Sequence, residues 1–437
     1  DSSSTSPSSS SSTSSSASDS MSSLGYPVEL TASSIVNVTL ANSVVSSVQG
    51  TSRADLALID STVPLFLVNT SFENVYAPAS TLVRSDVALT ADSCRFVLLS
   101  VLNGMLVSGN SAGPARFTNS NLHQVTVGNS FLATSAAIQV ENVRVTAGVG
   151  RFLLGDFLSP TAAVLVQVAQ LHVSNVSLSD GALLSVSSFE ILAPPISDPF
   201  VIVDSVFESM PEHALLVYTN GTSLTVKNLQ CFGTSQSVCI AAVNSPTVSL
   251  TQVYTSPGIV IKATSTPLPL LPPQSNVILS DSVLAGSILL SPFSVQIVFS
   301  ALNSSFQVQP QEQAFVIQGE SAASLSFSNC SFASSDQDST VAFECLSSSN
   351  SSTPLDSIVF SDANPSIFLN ISITSPSAES PSCTNVNCGT DSGGCEIVYP
   401  PSDSSSHKDS SSNSWPTTGF IVGTAVSCSI AAILLIS

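Results

Sequence analysis

Apolar and polar positions alternate over short segments of this chain, and residues 325–332, Leu-Ser-Phe-Ser-Asn-Cys-Ser-Phe, are the clearest example. Leu325 and Phe327 are two positions apart, so in an extended strand both side chains lie on the same face. Asn329 predicts a bend, because asparagine tolerates the left-handed backbone conformation and hydrogen-bonds within its own turn. Phe332 then returns to the apolar side. The segment therefore predicts a strand, a one-residue bend and a second strand.

The same unit recurs along most of the chain. Good copies surround four further turn residues: Asn69, Asn175, Asp204 and Asn303. With poorer copies included, the predicted turn residues are Asn42, Asn69, Asp92, Asn119, Asn142, Asn175, Asp204, Asn228, Gln252, Asp281, Asn303, Asn329 and Asp362. The twelve steps from residue 42 to residue 362 span 320 residues, so the mean spacing is about 27. A period in this range is typical of stacked-repeat folds, in which each repeat packs on its neighbours.

The residue types favour strands over helices within each repeat. Val, Ile, Phe and Thr suit strands, and no sustained 3.6-residue periodicity separates the copies. Leucine-rich repeats would place two residues, rather than one, between the last apolar strand position and the asparagine. We therefore predict an all-β fold, a parallel β-helix of about thirteen coils over residues 25–375. The turn asparagines would stack into a ladder between coils.

The repeat resembles the coil of pectin-lyase-like proteins, which reads apolar-x-apolar-x-Asn-x-x-Phe. The resemblance covers about residues 30–375 and implies a right-handed parallel β-helix. It is a likeness of repeat pattern, so it indicates the fold rather than an activity. Members of this family that cleave polygalacturonate use clustered aspartates, or calcium-binding acids with an arginine. The sequence contains no Asp-Asp pair, no Gly-His-Gly and no Arg-x-Lys motif.

Both ends of the chain differ from the repeats. Residues 1–24 are mostly serine and predict a disordered leader, either an O-glycosylated stalk or a plain flexible segment. Residues 376–416 are rich in Ser, Pro and Asp and predict a stalk. Residues 417–437 predict a transmembrane helix or a glycolipid-anchor (GPI) signal, because residues 419–436 form an uncharged run just long enough to span a bilayer.

The composition indicates an extracellular protein that does not bind nucleic acid. The net charge is −20 with only nine basic residues, which disfavours a polyanionic partner such as DNA or RNA. Only 9% of the residues are charged, so attached glycans are the expected source of solubility. Eight Asn-x-Ser/Thr sequons and the apolar C-terminal segment support secretion.

The eight sequons fall into two groups. Four coincide with predicted ladder positions, where a packed asparagine would not carry a glycan: Asn69, Asn175, Asn303 and Asn329. The other four are the predicted glycosylation sites: Asn37, Asn220, Asn350 and Asn370.

Seven of the nine cysteines are disulfide candidates. Cys231 and Cys239 are a candidate pair, although Cys231 also occupies an inward position that suits a small apolar residue. Cys330 and Cys345 are a second candidate pair. Three more candidates lie in the stalk and resemble a fragment of an epidermal-growth-factor-like module: Cys383, Cys388 and Cys395. Their spacing is irregular for zinc and the nearest histidine is His407, so no metal site is predicted.

The sequence offers little support for catalysis, and we predict no catalytic residues and no cofactor. None of the histidines has a metal-type partner three or four positions away; they are His123, His172, His213 and His407. The best local cluster of titratable residues is Asp204, Glu208, Glu212 and His213, which we interpret as an acidic exposed turn rather than acid–base machinery. The acids among the predicted turn residues are three or more coils apart, beyond the roughly 5–9.5 Å spacing of glycosidase carboxylates.

Arginines are the remaining candidates for binding. Six precede residue 152: Arg53, Arg84, Arg95, Arg116, Arg144 and Arg151. One interpretation is a row on one face that binds an anionic glycan. The simpler interpretation is solvated side chains that pair with Asp86, Asp92 or Glu141.

Together these patterns predict a cell-surface glycoprotein with a β-helix ectodomain and an adhesion, recognition or structural role without catalysis. The expected partners are the membrane, through the C-terminal anchor, and an extracellular glycan or protein ligand. The alternative is a carbohydrate-active enzyme, a polysaccharide lyase or glycoside hydrolase of pectin-lyase-like fold. Carboxylates clustered on one face of neighbouring coils would distinguish this alternative.

Overall fold

The computed structural model describes part of the chain, and all the secondary structure in that part is β-strand. The described residues are 28–30, 37–49, 57–77, 81–101, 106–108, 114–134, 137–157, 165–178, 181–188, 200–233, 237–265, 274–292, 295–308, 315–319, 323–334, 341–347, 355–361, 369–374, 386–387 and 395–398. The chain divides into two units, Asp1–Pro400 and Pro401–Ser437, and every described residue belongs to the first. The predicted leader and C-terminal anchor segment lie outside the described residues.

The strands are short and follow one another closely. The first seventeen are β1 (Val28–Leu30), β2 (Val38–Ala41), β3 (Val44–Ser46), β4 (Ala57–Ser61), β5 (Leu65–Val68), β6 (Ser71–Ala77), β7 (Thr81–Ser85), β8 (Leu89–Asp92), β9 (Arg95–Val101), β10 (Leu106–Ser108), β11 (Ala115–Thr118), β12 (Asn121–Thr134), β13 (Ile138–Thr146), β14 (Val149–Phe157), β15 (Val166–Ser174), β16 (Ala182–Ser188) and β17 (Phe200–Met210). The others are β18 (Leu215–Asn220), β19 (Leu224–Gly233), β20 (Val238–Val243), β21 (Thr247–Thr255), β22 (Val260–Ser265), β23 (Gln274–Ser280), β24 (Val283–Leu284), β25 (Ile288–Pro292), β26 (Gln296–Leu302), β27 (Ser305–Val308), β28 (Phe315–Gly319), β29 (Ala323–Ser328), β30 (Ser331–Ser334), β31 (Val341–Ser347), β32 (Leu355–Ser361), β33 (Leu369–Thr374), β34 (Val386–Asn387) and β35 (Cys395–Val398).

All the strand pairs are parallel, and each strand pairs with its equivalents in the neighbouring coils, which confirms the predicted β-solenoid. The strands form three stacks. The first stack contains β2, β5, β8, β11, the N-terminal parts of β13, β15, β17, β19 and β21, and then β23, β26, β29, β32 and β34. The second contains β3, β6, β9, the N-terminal part of β12, the C-terminal parts of β13, β15, β17, β19 and β21, and then β24, β27 and β30. The third contains β1, β4, β7, β10, the C-terminal part of β12, and β14, β16, β18, β20, β22, β25, β28, β31, β33 and β35.

A one-residue left-handed bend joins the first stack to the second, as the repeat pattern predicted. The bend recurs in twelve successive coils with φ near +50°, at Asn42, Asn69, Ser93, Asn119, Asn142, Gln170, Asp204, Asn228, Gln252, Asp281, Asn303 and Asn329. Asparagine suits it because its side chain lowers the cost of positive φ for a residue with a Cβ. The count is slightly below the predicted thirteen, and Asp362 lies outside the described residues.

Two predicted ladder positions were wrong. Asp92 is the last residue of β8, and Ser93 makes the bend. In the coil of β15 the register pairs Glu141 with Ala169 and Val143 with Leu171, which places Gln170 opposite Asn142. Asn175 therefore lies five residues beyond the ladder. The apolar spacing around Asn175 matches the repeat unit because a second bend of the same kind occurs there.

Side-chain amides connect the ladder from coil to coil. Asn69 Nδ2 donates to Asn42 Oδ1 at 2.8 Å, and Asn329 Nδ2 donates to Asn303 Oδ1 at 2.8 Å. Where Ser93 replaces asparagine, the neighbouring Asp92 supplies the acceptor: its Oδ1 accepts from Asn119 Nδ2 at 2.8 Å. The ladder thus continues across a coil that lacks the asparagine itself.

The second bend lies in the second stack, five residues after the ladder. Its left-handed residues, each with φ between 53° and 56°, are Ser47, Asn74, Leu98, Gln124, Ala147, Asn175 and Ser209. Strand register aligns them in consecutive coils. Leu98 stands out because it combines a left-handed backbone with a side chain that is 49% exposed.

Leu98→Asn should stabilise the fold by about 1 kcal/mol, because asparagine reduces the 1–2 kcal/mol cost of the left-handed conformation. The exposed leucine side chain loses little packing on replacement. Asn74 occupies the same position in the preceding coil, so Asn74→Leu is the matched reverse change and should destabilise by a similar amount. Urea unfolding measures both, and equal shifts in the same direction for the two variants would contradict the explanation.

Phenylalanine rings fill the space between the stacks at two places. The first group contains Phe72, Phe96, Phe117, Phe131 and Phe152. The second contains Phe299, Phe306, Phe315 and Phe327, with ring centroids 5.3–5.8 Å apart. Phe327 is buried at 1% exposure, as its place in the repeat predicts. The backbone of Phe332 pairs with that of Phe306, and its side chain is outside the described part.

Candidate functional site

The acidic cluster predicted around residue 204 is divided among different parts of a coil. Asp204 is a ladder residue whose Oδ1 accepts from Asn228 Nδ2 at 2.8 Å. Glu208 is four residues further along β17, roughly 13 Å away at the rise of an extended strand. Glu212 and His213 are exposed in the turn after this strand. These residues therefore do not form one site.

The outward face of the second stack brings together two arginines instead. Strand register places Arg95, Asn121, Arg144 and His172 side by side in four successive coils. The first three are exposed and His172 is half-buried. Parallel strands lie about 4.8 Å apart, so the backbones of the two arginines are separated by roughly 10 Å. We call these four residues the basic row.

The two guanidinium groups of the basic row have no hydrogen-bond or ion-pair partner among the described residues. Two acids on this face are engaged by other side chains: Glu73, in the coil before Arg95, accepts through Oε1 from Ser71 Oγ at 2.8 Å, and Glu208 contacts His172. Unpaired arginines on a protein of net charge −20 are free to meet an anionic ligand.

Two imidazoles flank the arginines. His172 Nε2 lies 2.7 Å from Glu208 Oε1, which belongs to the next coil. His123 Nδ1 lies 2.9 Å from Thr146 Oγ1. This contact fixes the orientation of the His172 imidazole beside Arg144. The row thus presents cations and neutral hydrogen-bonding groups, which suit an anion with additional hydroxyl groups.

Two exposed aromatic residues continue the same face. Tyr254 lies three coils beyond His172 in the same outward column, and Phe232 lies in the adjacent column opposite Glu208. They are 37% and 40% exposed. Aromatic faces of this kind are available to pack against apolar faces of ligands, including the C–H face of a sugar ring.

The remaining described arginines lie on other stacks. Arg84 makes a bidentate ion pair with Asp60 on the third stack. Arg116 is exposed on the first stack, on the other side of the ladder. The Arg151 guanidinium on the third stack lies against Gly181, and its Nε is buried without a partner in the described part.

The two interpretations of the arginines, a row that binds a ligand and side chains that form ion pairs, therefore apply to different residues. An ion pair exists at Arg84, but among the described residues none joins an arginine to Asp86, Asp92 or Glu141. Arg53 lies outside the described residues.

Sequence reasoning noticed the arginines and missed the contact between His172 and Glu208 beside them. Positions 172 and 208 are 36 residues apart, and no local motif connects them. The signal was partly present in the repeat, since residues at similar offsets from successive ladder positions become neighbours. Glu208 lies four residues after Asp204 and His172 lies two residues after Gln170, an offset that makes the two side chains diagonal neighbours. Placing the ladder at Asn175 instead of Gln170 shifted that offset by five residues and concealed the contact.

The described cysteine side chains lie in a disulfide or in the buried core. Cys231 and Cys239 form a disulfide with their Cα atoms 6.1 Å apart. Cys330 is a free, buried thiol, so the candidate pair with Cys345 is not formed. Cys330 follows the ladder bend and its Sγ donates to Ser328 O at 3.3 Å, which is the role that Ser304 Oγ has in the coil before. The side chain of Cys395 is not described, and Cys383 and Cys388 lie outside the described residues.

Local interactions shift a few pKa values without creating a nucleophile. Hydrogen bonds from the side chains of Thr118 and Asn119 hold the pKa of Asp92 below its ordinary value. Burial raises the pKa of the Cys94 and Cys330 thiols and that of the Tyr218 phenol. A thiol with a raised pKa stays protonated at neutral pH and reacts slowly.

The predicted glycosylation sites are placed as follows. Asn37 is exposed just before β2, and Asn220 ends β18, where its Oδ1 accepts from Asn244 Nδ2 at 3.4 Å. Asn370 lies in β33 with its side chain undescribed, and Asn350 is outside the described residues.

The described part of the chain contains no group of three or more His, Cys, Asp or Glu side chains that would hold a metal ion. In that part there is also no helix of the length and hydropathy needed to cross a membrane. No protein-family model, no curated protein and no solved structure matches this chain. The parallel β-solenoid is therefore established by the strand register alone.

Proposed function

We propose that this protein is the ectodomain of a cell-surface glycoprotein that recognises an anionic extracellular glycan and does not alter it chemically. The observation that carries the proposal is the pair of unpaired, exposed arginines in the basic row. Each guanidinium offers a planar fork that matches a carboxylate or sulfate.

The spacing of the row supports a polymeric ligand. Arg95 and Arg144 are two coils apart, roughly 10 Å at the strand spacing. This is close to the length of two linked pyranose units, so an acidic group on every second sugar would meet both arginines. Between them, Asn121 offers an amide to a hydroxyl group. A chain that extends in the stacking direction would then reach the aromatic face of Tyr254.

The composition supports the extracellular setting. The sequons and the apolar segment 417–437 favour a secreted and membrane-anchored chain. The low content of charged residues, 9%, also fits a surface covered by glycans.

Replacing both arginines should weaken the binding of an acidic polysaccharide by about tenfold or more, since a loss of 1.4 kcal/mol corresponds to one factor of ten. We suggest Arg95→Ser with Arg144→Ser, measured by titration of immobilised full-length protein with polygalacturonate and with a sulfated glycosaminoglycan. The wild-type affinity should fall with salt, as expected for a charged contact at the surface. Arg116→Ser is the matched control, because it removes an exposed arginine from a different stack.

Equal weakening by the control variant would indicate non-specific charge attraction and contradict the proposed site. Absence of measurable binding by the wild-type protein to both polysaccharides would contradict the ligand class.

The second candidate function is a carbohydrate-active enzyme of pectin-lyase-like fold, and the His172–Glu208 pair beside Arg144 is the observation that favours it. An acid–base mechanism would need a second carboxylate about 5–9.5 Å away. In the outward column of Glu208 the next described acid is Glu73, five coils distant and hence roughly 24 Å away at the strand spacing. Release of sugar from the same polysaccharides, abolished by Glu208→Gln, would favour the enzyme.

A further inference from the structure

We infer that Asn175 carries an N-linked glycan and that the sequons at Asn69, Asn303 and Asn329 remain unmodified in the folded protein. The inference rests on the extracellular location in the proposed function. It reverses the expectation for Asn175, because the fold moves this residue out of the ladder.

Asn175 lies in the second bend, where the neighbouring coils leave space. Register aligns it with Ala147 in the coil before and Ser209 in the coil after. All three residues are exposed. The Asn175 side chain makes no hydrogen bond to another described residue. A sugar attached to its Nδ2 therefore displaces no interaction and meets two small neighbours.

The three ladder sequons differ from the sequon at Asn175, because the side-chain nitrogen that would receive the sugar already donates a hydrogen bond. Asn69 Nδ2 donates to Asn42 at 2.8 Å. Asn303 Nδ2 donates to Asp281 at 3.3 Å, and Asn329 Nδ2 donates to Asn303 at 2.8 Å. Each acceptor belongs to the preceding coil, about 4.8 Å away. A pyranose on this nitrogen would have to occupy the space in which the amides stack.

Folding explains how the two groups are separated. In the folded chain Ser177, the third residue of the Asn175 sequon, is held by backbone hydrogen bonds: its N donates to Gly148 O at 2.9 Å and its O accepts from Gly150 N at 2.8 Å. The sequon must therefore be modified while the chain is still extended. Coils that receive a sugar at Asn175 can still stack, whereas coils that receive one at a ladder asparagine cannot close the ladder.

Glycan occupancy at each sequon tests the inference directly. The full chain is expressed behind an added signal peptide in a eukaryotic secretory cell, and the protease-resistant protein is treated with peptide N-glycosidase in ¹⁸O water. Mass spectrometry then reports every asparagine that was converted to labelled aspartate. We expect label at Asn175 and none at Asn69, Asn303 or Asn329. Asn175→Gln should lower the apparent mass on a gel by that of one glycan and leave secretion unchanged.

Two new sequons provide matched controls in the two columns. Tyr76→Thr completes a sequon at Asn74, which is in the second bend, and Tyr76 is 54% exposed. Asn121→Thr completes one at Asn119, which is in the ladder. Asn74 should become occupied with secretion preserved. The Asn119 variant should either be secreted without the extra glycan or, where modified, be retained in the cell.

Occupied ladder asparagines in secreted, protease-resistant protein would overturn the inference. So would an empty Asn175 when Asn37 or Asn220 on the same molecules is occupied. The added signal peptide separates this result from the proposed function, because it delivers the chain to the glycosylation machinery whatever its native location. Failure of the native chain to reach the cell surface would count against the proposed function alone.

Discussion

Phe131→Ala should lower the free energy of unfolding by about 3–5 kcal/mol, the usual cost of emptying a packed phenylalanine site. Phe131 is 2% exposed and is central to the first aromatic group. Its ring centroid lies 5.3 Å from that of Phe96, 5.2 Å from that of Phe117 and 5.6 Å from that of Phe152. These rings come from different stacks, so little backbone movement is available to fill the cavity. Denaturant unfolding followed by far-ultraviolet circular dichroism measures the loss.

Phe66→Ala is the control for the loss of a phenylalanine as such. Phe66 lies on the outward side of β5 and is only partly buried. Its replacement should cost well under half as much as that of Phe131. Similar losses for the two variants would mean that Phe131 does not have the packed position described.

Gly286→Ala should disrupt the contact between two coils and destabilise the fold by at least the 1–3 kcal/mol typical of overpacking. A Cβ atom at this position would lie 1.7 Å from Ile259 O, a backbone atom of the preceding coil. The chain on either side of Gly286 is held to that coil: Ala285 O accepts from Gly258 N at 3.2 Å, and Ser287 O accepts from Ile261 N at 3.0 Å. Relief of the clash therefore requires these hydrogen bonds to lengthen.

Gly233→Ala is the matched control, because the Cβ atom that it adds would also contact Ile259. There the added Cβ would meet the end of the side chain, Ile259 Cδ1, at 3.5 Å, which is an ordinary contact. The control should stay within about 1 kcal/mol of wild type, the scale of a glycine-to-alanine change in backbone freedom. Thermal unfolding compares the two, and a Gly286→Ala protein as stable as the control would show that the coils are further apart here.

The repeat pattern predicted the fold well because the β-solenoid is encoded by local rules. Each copy, such as Leu325, Phe327 and Asn329, specifies one inward face and one bend, and stacking repeats the result. The prediction was wrong where another residue performs the same task. Ser93 and Gln170 make the ladder bend, and the prediction, which favoured asparagine and aspartate as turn residues, chose Asp92 and Asn175 in these two coils.

The candidate site was predictable only in part. The sequence identified Arg95 and Arg144 as binding candidates, together with the alternative that they form ion pairs. It did not show that both belong to one outward column or that Glu208 is bonded to His172. Adjacent coils contribute these residues, and the contact depends on a register that is set by loops of unequal length.

The sequence by itself determined the all-β class, the inward apolar positions and the one-residue bend, because each follows from the alternation of neighbouring side chains and the backbone preference of asparagine. Tertiary structure decided which residues from different coils meet. A shift of five residues moves a side chain from the ladder to the second bend, as it does for Asn175, without changing the local apolar pattern. Parallel pairing between coils fixes that shift, since only one register satisfies the backbone hydrogen bonds and keeps the apolar side chains inside.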